Sequence, residues 1–252
     1  MALMRATTAL ENTAPALKGE FETLRERLAG QLSPKEDADF LLVLSVRGLE
    51  LRELGGTTKP LRIDFEPMLG RRQTQKIEPV ARAVGLKGEL RPRVLDLTAG
   101  LGQDAFILAS YGCKVHMLER SPIIAVLLED GLKRAQMEPK LVDIVGRMSL
   151  QVVDAKAFLT ASTFSGEGYD ALYIDPMYPE TGKSAAKRKE MRFFRALVGS
   201  DDDADELLGY ALNTSVRRVV VKRPLKAPPL GAKPSASLKG RTTRFDLYIR
   251  GA

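Results

Sequence analysis

The chain has 252 residues and a formal net charge of +7, so it is long enough for one sizeable core and its charge favours an anionic partner. A single cysteine, Cys113, and a single histidine, His116, exclude a disulfide framework, a Cys/His zinc site and a multi-histidine centre. We therefore expect a metal-free protein of the reducing cytoplasm, with packing roles for both residues. Apolar runs such as residues 40–44 are too short to cross a bilayer, so no membrane association is expected.

Three parts are predicted along the chain. They are a small N-terminal α+β subdomain, a connecting segment with a helix, and a main domain, over residues 1–60, 61–92 and 93–252. The pattern of apolar residues in the first part predicts one short amphipathic helix and two alternating strands, over residues 21–28, 40–46 and 49–54.

In the main domain, short apolar runs alternate with helical stretches. This pattern is typical of an α/β fold with a mostly parallel sheet and helices on both faces. The predicted strands cover residues 94–97, 114–118, 150–153, 169–174, 218–221 and 245–249, and the predicted helices cover residues 103–111, 122–135 and 201–212.

Four of the predicted strands carry an acidic residue at or directly after their carboxyl end. These residues are Asp96, Glu119, Asp154 and Asp175. A single acid after a strand is usually part of a turn or caps a helix. In an open parallel sheet, however, the carboxyl ends of the strands form the edge where ligands bind. Four acids in series therefore predict a binding site at this edge.

The loop after the first of these strands contains Gly100 and Gly102, which let the backbone approach a ligand closely. The spacing Gly100-x-Gly102-x-x-Ala105 also satisfies the dinucleotide fingerprint, with Glu119 placed for ribose hydroxyls. A nicotinamide-dependent dehydrogenase is therefore one alternative at this point. Asp96, directly before the loop, suits a cationic amino acid group instead.

The fourth strand runs into Asp175-Pro176-Met177-Tyr178. This string resembles the Asp-Pro-Pro-Tyr motif of methyltransferases that modify exocyclic or amide nitrogens, with Met177 in place of the second proline. The lone pair of such a nitrogen is delocalised, so a carboxylate and a rigid backbone carbonyl that accept its hydrogens can aim the lone pair at a methyl donor. Pro176 fixes the turn, and Tyr178 can stack on a flipped-out base.

Longer strings resemble one family, the bacterial small-subunit (16S) rRNA guanine-N2 methyltransferases, which are class I and depend on S-adenosylmethionine. The strings lie at residues 97–106, 117–122, 175–179, 187–192, 219–224 and 244–248. The resemblance implies a Rossmann-like sheet and direct in-line transfer of a methyl group from S-adenosylmethionine to the exocyclic amine of one guanosine. The substrate would be small-subunit rRNA, either free or in the assembled subunit.

Together with the loop and the strand-end acids, the resemblance gives the candidate site residues. Those expected to bind the cofactor are Asp96, Gly100, Gly102, Gln103, Asp104, Glu119, Arg120, Asp154, Ala155 and Asp175. Asp175, Pro176 and Tyr178 are the expected catalytic residues: Asp175 would lie between cofactor and target amine, and Tyr178 would stack on the base.

Two basic segments indicate where a polyanion would bind. Residues 181–195 hold six basic residues and one acid, and residues 217–244 hold nine basic residues and no acid. Such segments contact phosphates and supply affinity with little sequence information. The predicted RNA-binding residues are Lys183, Lys187, Arg188, Arg192, Lys222 and Arg223.

Other functions remain open from the sequence. The same fold could act on adenine N6 or on a glutamine amide of a protein, because the Asp-Pro-x-Tyr logic serves any such nitrogen. The large basic surface and Met177 also allow a catalytically inactive rRNA-binding assembly factor.

Overall fold

The computed structural model describes residues 7–57, 59–73, 77–162, 164–177 and 203–250, of which residues 71–73 are described by their backbone only. The described chain groups into two compact units. One contains the chain up to Asp64 together with Ser121–Arg134, and the other contains Phe65–Arg120 and residues 135–177 and 203–250. The three-part division expected from the sequence stays a prediction.

The first unit is a small α+β arrangement. Its sheet has the order β1-β2-β3, with β1 parallel to β2 and β2 antiparallel to β3. The central strand is apolar and fully covered, and Leu42 and Val43 in it are 0% exposed. The elements are β1 (Thr8–Asn12), α1 (Lys18–Arg27), β2 (Phe40–Ser45) and β3 (Gly48–Glu53). The predictions for α1, β2 and β3 are confirmed, whereas β1 was not expected because it is short and polar.

The second unit contains a seven-stranded sheet with the order β6-β5-β4-β7-β8-β10-β9. Strands β4 to β8 are parallel, while β10 pairs antiparallel with both β8 and β9. The strands are β4 (Arg93–Asp96), β5 (Lys114–Glu119), β6 (Met148–Val152), β7 (Ala171–Ile174), β8 (Arg218–Pro224), β9 (Ala236–Lys239) and β10 (Thr243–Ile249). The predicted α/β class with a mostly parallel sheet is confirmed.

Helices follow most of these strands. They are α2 (Pro79–Ala83), α3 (Gln103–Ser110), α4 (Pro122–Gln136), α5 (Val142–Val145), α6 (Ala155–Thr160) and α7 (Ala204–Leu212). The sequence predicted α2, α3, α4 and α7, and it missed α5, α6 and strand β9. None of the helices in the described ranges has the length and apolarity needed to cross a membrane.

The central strands are buried on both faces, which is why they form nearly continuous apolar runs in the sequence. Leu95, Leu172 and Val221 are each 0% exposed and belong to one cluster with Leu207 and Leu208 of α7. Side chains alternate between the two faces of a strand. In each strand, the residues next to these apolar side chains therefore point to the opposite face of the sheet. The site described below is formed on that face.

A buried ion pair fixes the chain after β8. Nε and Nη2 of Arg244 donate to the two carboxylate oxygens of Asp246 at 2.8 and 2.9 Å. Nη1 of Arg244 donates to the backbone carbonyls of Pro224, Leu225 and Ala227. Burial disfavours the charge of Asp246, but hydrogen bonds from Arg244 and Ser237 hold its pKa below the ordinary value. One ion pair therefore ties strand β10 to the segment that follows β8.

Breaking this pair is expected to be costly, because the remaining charge stays buried. We expect Asp246→Ala to lower the free energy of unfolding by about 3 kcal/mol, measured by urea unfolding. The matched control is Glu22→Ala, which removes the partner of Arg25 in an ion pair whose arginine and glutamate side chains are 60% and 38% exposed. That change should cost less than about 1 kcal/mol. Equal effects of the two substitutions would contradict a structural role for the buried pair.

Candidate active site

The loop between β4 and α3 lies at the carboxyl edge of the sheet. Asp96 ends β4, is 2% exposed, and accepts a hydrogen bond from the backbone N–H of Thr98 at 3.1 Å. Gly100 and Gly102 have φ angles of +52° and +70°, and Gly102 precedes the first turn of α3. This left-handed backbone favours glycine, so the loop requires both residues where the sequence has them.

Glu119 connects the second parallel strand to this loop. It ends β5, is 6% exposed, and its Oε2 accepts a hydrogen bond from the N–H of Gly100 at 2.9 Å. A carboxylate can accept several hydrogen bonds at once. The structure therefore brings Asp96, Gly100 and Glu119 together, as the sequence predicted for a cofactor site.

Asp154 follows β6 and caps helix α6. Its Oδ1 accepts hydrogen bonds from the backbone N–H groups of Lys156 and Ala157 at 2.9 and 3.1 Å. Ala155, in the first turn of α6, is 7% exposed. The capping role that strand-end acids often have is thus present here. The expected contact between Asp154, Ala155 and the cofactor stays a prediction.

Arg120 is held by an ion-pair cluster at the start of α7. Its Nη1 lies 3.0 Å from Oδ2 of Asp203, and Nζ of Lys156 lies at the same distance from that oxygen. Lys156 also lies 2.8 Å from Glu206. The cluster joins the end of β5 to the starts of α6 and α7, so the charge of Arg120 is paired within the protein beside the expected cofactor site.

Asp175 is attached to the same loop through its backbone. Its N–H donates to Oγ1 of Thr98 at 2.7 Å. Its side chain is 36% exposed, whereas Pro176 is buried. The expected catalytic carboxylate therefore lies at the edge shared with Asp96. The other expected catalytic side chain, Tyr178, lies outside the described residues.

Lys222 was predicted to contact RNA, but the structure places it in the site. Its Nζ lies 2.6 Å from Oδ2 of Asp104 and 2.8 Å from Oδ2 of Asp175. Oδ2 of Asp104 also accepts a hydrogen bond from the hydroxyl of Tyr173 at 2.6 Å. Lys222 directly follows three buried valines at the carboxyl end of β8. That position was the sequence signal that could have placed it at the edge.

Arg223 is also used inside the protein and not at its surface. It is 4% exposed, and its Nε donates to the carbonyl of Pro228 at 2.9 Å. The predicted phosphate contact stays a prediction, and the low exposure of Arg223 does not favour it, because a phosphate needs an accessible guanidinium. The other predicted RNA-binding residues lie outside the described part of the chain. They are Lys183, Lys187, Arg188 and Arg192.

Gln103 and Asp104 open helix α3 directly after the glycine loop. Gln103 is the first residue of the helix and its side chain is exposed, whereas Asp104 is turned toward Lys222 and Tyr173. Both residues therefore lie beside the expected cofactor site. Their contact with the cofactor itself stays a prediction.

The electrostatics of the site favour a cationic ligand. Burial raises the pKa of Asp96 to about 8, and the nearby carboxylates of Asp104, Asp175 and Glu119 act in the same direction, against the hydrogen bond from Thr98. Asp96 is therefore largely protonated at neutral pH until a cation accompanies it. Burial also disfavours the charged form of Lys222. There, however, the carboxylates of Asp175 and Asp104 hold the pKa of Lys222 above its ordinary value.

Cys113 and His116 take no part in this site. Cys113 is 0% exposed, and burial raises the pKa of its thiol to about 11. Nδ1 of His116 lies 2.7 Å from the hydroxyl of Tyr169, and burial lowers the pKa of the imidazole. The packing roles expected for the two residues are confirmed.

A mostly parallel sheet with a glycine loop after its first strand and carboxylates at the following strand ends agrees with the class of S-adenosylmethionine-dependent methyltransferases, and the comparisons with known proteins show that class. The family model for SAM-dependent methyltransferases matches residues 24–250. The chain is 45% identical to "Ribosomal RNA small subunit methyltransferase J" of Thioalkalivibrio sulfidiphilus, over 96% of this chain and 100% of that protein. It is 43% identical to the protein of the same name from Coxiella burnetii, over 98% of both chains.

A solved structure gives the same result. A SAM-dependent methyltransferase from Neisseria gonorrhoeae superposes with a TM-score of 0.73 and 32% sequence identity, covering 98% of this chain and 97% of that one. The chain therefore belongs to the family of SAM-dependent methyltransferases that includes these relatives. The alternative interpretation as a nicotinamide-dependent dehydrogenase, which was based on the glycine spacing, is therefore wrong.

The residues present fit S-adenosylmethionine. The buried carboxyl of Asp96 suits the ammonium group of the cofactor, and Glu119 suits its ribose hydroxyls while it also holds the N–H of Gly100. Gly100 and Gly102 have positive φ angles, and they place no side chain on the part of the loop that would face the cofactor. The cofactor predicted from the sequence therefore agrees with the donor and acceptor set at this edge.

The raised pKa of Asp96 predicts a pH-dependent affinity. Because a bound ammonium favours the ionised carboxyl, binding below pH 8 releases a proton from Asp96. We expect the affinity for S-adenosylmethionine to rise with pH, by up to about tenfold per unit between about pH 5 and 7. Calorimetry in buffers of different ionisation enthalpy measures the released proton. Asp96→Asn should bind more weakly and without this dependence, and a wild-type affinity that is flat with pH would contradict the assignment.

Proposed function

We propose that this methyltransferase methylates the exocyclic N2 of a guanosine in small-subunit (16S) rRNA. The observation that carries the proposal is the position of Asp175-Pro176 at the end of β7, bonded to the cofactor loop through Thr98. The names of the relatives, ribosomal RNA small subunit methyltransferase J, support the same substrate for this chain. The proposal keeps the predicted cytoplasmic location, since that is where ribosomal subunits are assembled.

The proposed chemistry has to overcome the weak nucleophilicity of an exocyclic amine. Its lone pair is delocalised into the base, so it is a weak nucleophile until its hydrogens are accepted and its orientation is fixed. Asp175 accepts a hydrogen of the amine and thereby directs the lone pair, and Pro176 keeps the backbone after it rigid. When bound, S-adenosylmethionine supplies an activated methyl group. Tyr178 completes the proposal by stacking on the flipped-out base.

The proposed contact with RNA phosphates uses exposed lysines and arginines after β8. Lys226, Lys233, Lys239 and Arg241 are all exposed and lie in the stretch from β8 to β10, which we call the basic hairpin. The ion pair of Arg244 and Asp246 holds the beginning of this stretch in place. Because β8 ends at the edge that carries Asp175, the basic hairpin starts beside the proposed methylation site. Exposed cations at that position suit the phosphates that flank a target base.

Methyl transfer itself is the first test. We expect transfer from labelled S-adenosylmethionine to small ribosomal subunits lacking this modification, or to their stripped rRNA, with N2-methylguanosine as the product after digestion. Asp175→Ala should lower kcat by at least about 100-fold while the protein stays folded, because the amine loses its acceptor. N6-methyladenosine or a methylated protein amide would replace the proposed acceptor. Cofactor and RNA binding without any transfer would favour the inactive assembly factor.

The basic hairpin predicts a salt effect. We expect replacement of Lys226, Lys233, Lys239 and Arg241 by Gln to weaken rRNA binding and to flatten its dependence on salt, by roughly 0.7 in the log–log slope for each phosphate that is no longer neutralised. Fluorescence anisotropy at several salt concentrations measures this slope. The matched control replaces Arg25, Lys35, Arg47 and Arg52 of the first unit by Gln, which removes the same charge. An equal decrease in slope for both sets would show that only net charge counts.

A further inference from the structure

One lysine joins the loop side of the site to the methyl-acceptor motif. Nζ of Lys222 lies 2.6 Å from Oδ2 of Asp104, in the first turn of α3, and 2.8 Å from Oδ2 of Asp175, after β7. We call these three charged groups the Lys222 bridge. The bridge spans two elements that are far apart in the sequence and that contribute different expected functions, cofactor binding and catalysis.

The surroundings of the bridge hold its groups in place. The side chains of Lys222 and Asp104 are 26% and 17% exposed. The fully buried hydroxyl of Tyr173 donates to the same oxygen of Asp104 at 2.6 Å. Charge-assisted hydrogen bonds of this kind are short and directional. Asp104 is therefore fixed from two sides, and Lys222 is fixed by two carboxylates.

Lys222 affects both the orientation and the charge of Asp175. Its backbone is held by the hydroxyl of Thr98 and its carboxylate by Lys222, so both ends of this residue are fixed. A protonated carboxyl would donate a hydrogen where the amine needs an acceptor. A neighbouring ammonium disfavours that protonation.

We propose that Lys222 is a positioning residue for methyl transfer: it orients the Asp175 carboxylate toward the acceptor amine, keeps it ionised, and links its position to helix α3 through Asp104. The inference rests on the proposed function, because it takes Asp175 as the group that accepts the amine hydrogen. It goes further by assigning Lys222 to the methylation step, where the sequence had assigned it to RNA phosphates.

Three roles for Lys222 predict different measurements. A phosphate contact predicts a higher KM for rRNA with kcat unchanged. A purely structural role predicts a lower Tm with an unchanged pH profile. A positioning role predicts a lower kcat, a KM close to that of the wild type, and an acidic limb of the kcat profile that moves with the charge beside Asp175.

The test compares Lys222→Met with Lys222→Arg, and with Lys114→Met as the matched control. Lys114 is exposed at the beginning of β5, at the opposite edge of the sheet. We expect Lys222→Met to lower kcat about 100-fold at neutral pH, because a misplaced acceptor costs about this much. Calorimetry should show that it still binds S-adenosylmethionine, since removal of the ammonium makes the site more negative. Lys222→Arg should recover part of kcat, and Lys114→Met should behave as the wild type.

The pH profile separates positioning from packing. Without the ammonium, Asp175 protonates at higher pH, so the acidic limb of kcat should move to higher pH in Lys222→Met and back in Lys222→Arg. Asp104→Asn should shift the acidic limb of kcat in the opposite direction. In this variant Lys222 pairs with Asp175 alone, and one nearby negative charge has been removed. Its acidic limb should move to lower pH. This variant also keeps the inference testable if Lys222→Met fails to fold.

The outcomes distinguish this inference from the proposed function. Wild-type kcat and pH profile in Lys222→Met, unshifted limbs in both Lys222→Met and Asp104→Asn, or a rise in KM alone would each overturn the positioning role. If the wild type methylates adenine N6 or a protein amide instead of guanosine, the proposed substrate fails, and the same variants measured on that acceptor decide the role of Lys222. A wild type that transfers no methyl group to any of these acceptors overturns both.

Discussion

The hydrogen-bonded register of the central parallel strands decides which side chains meet at the site. Asp96 lies opposite Tyr173, and Tyr173 lies opposite Val220, so β4, β7 and β8 end at the same edge. Since alternate residues of a strand share a face, Asp96, Tyr173 and Lys222 face the helix that carries Asp104. A slip of one residue in any of these strands would exchange polar site residues for apolar core residues. The packing of the core therefore also fixes the geometry of the site.

The carboxyl groups at this edge differ in whether the protein itself supplies a positively charged partner. Two carboxylates share Lys222, whose ammonium group offsets part of their negative charge. Asp96 is held by a backbone N–H, and burial raises its pKa to about 8. A buried charge is tolerated when a partner accompanies it. The protein thus supplies the partner on the catalytic side, while on the other side a cationic ligand can supply it.

Much of this arrangement could be predicted from the sequence, because short apolar runs and strand-end acids are local features. The strands that carry Asp96, Glu119 and Asp175, and the turn at Gly100, follow from composition and spacing. The positions of Lys222 and Arg223 could not be predicted in this way. A count of basic residues treats each as solvated, whereas strand register and a buried carbonyl decide where these two point. The short elements α5, α6 and β9 have too few apolar residues to show a period.

Thr98 shows how the fold separates methyl transfer from recognition of the substrate. Its N–H donates to Asp96 and its hydroxyl accepts from the N–H of Asp175, so one residue links the expected cofactor acid to the acceptor motif. Both hydrogen bonds lie at strand ends, whose positions are fixed by the buried sheet. Exposed positions such as Lys226 and Lys233 lie on connections that can change without disturbing that core. Acceptor identity can therefore change through the surrounding loops, while the geometry that activates a nitrogen stays attached to the sheet.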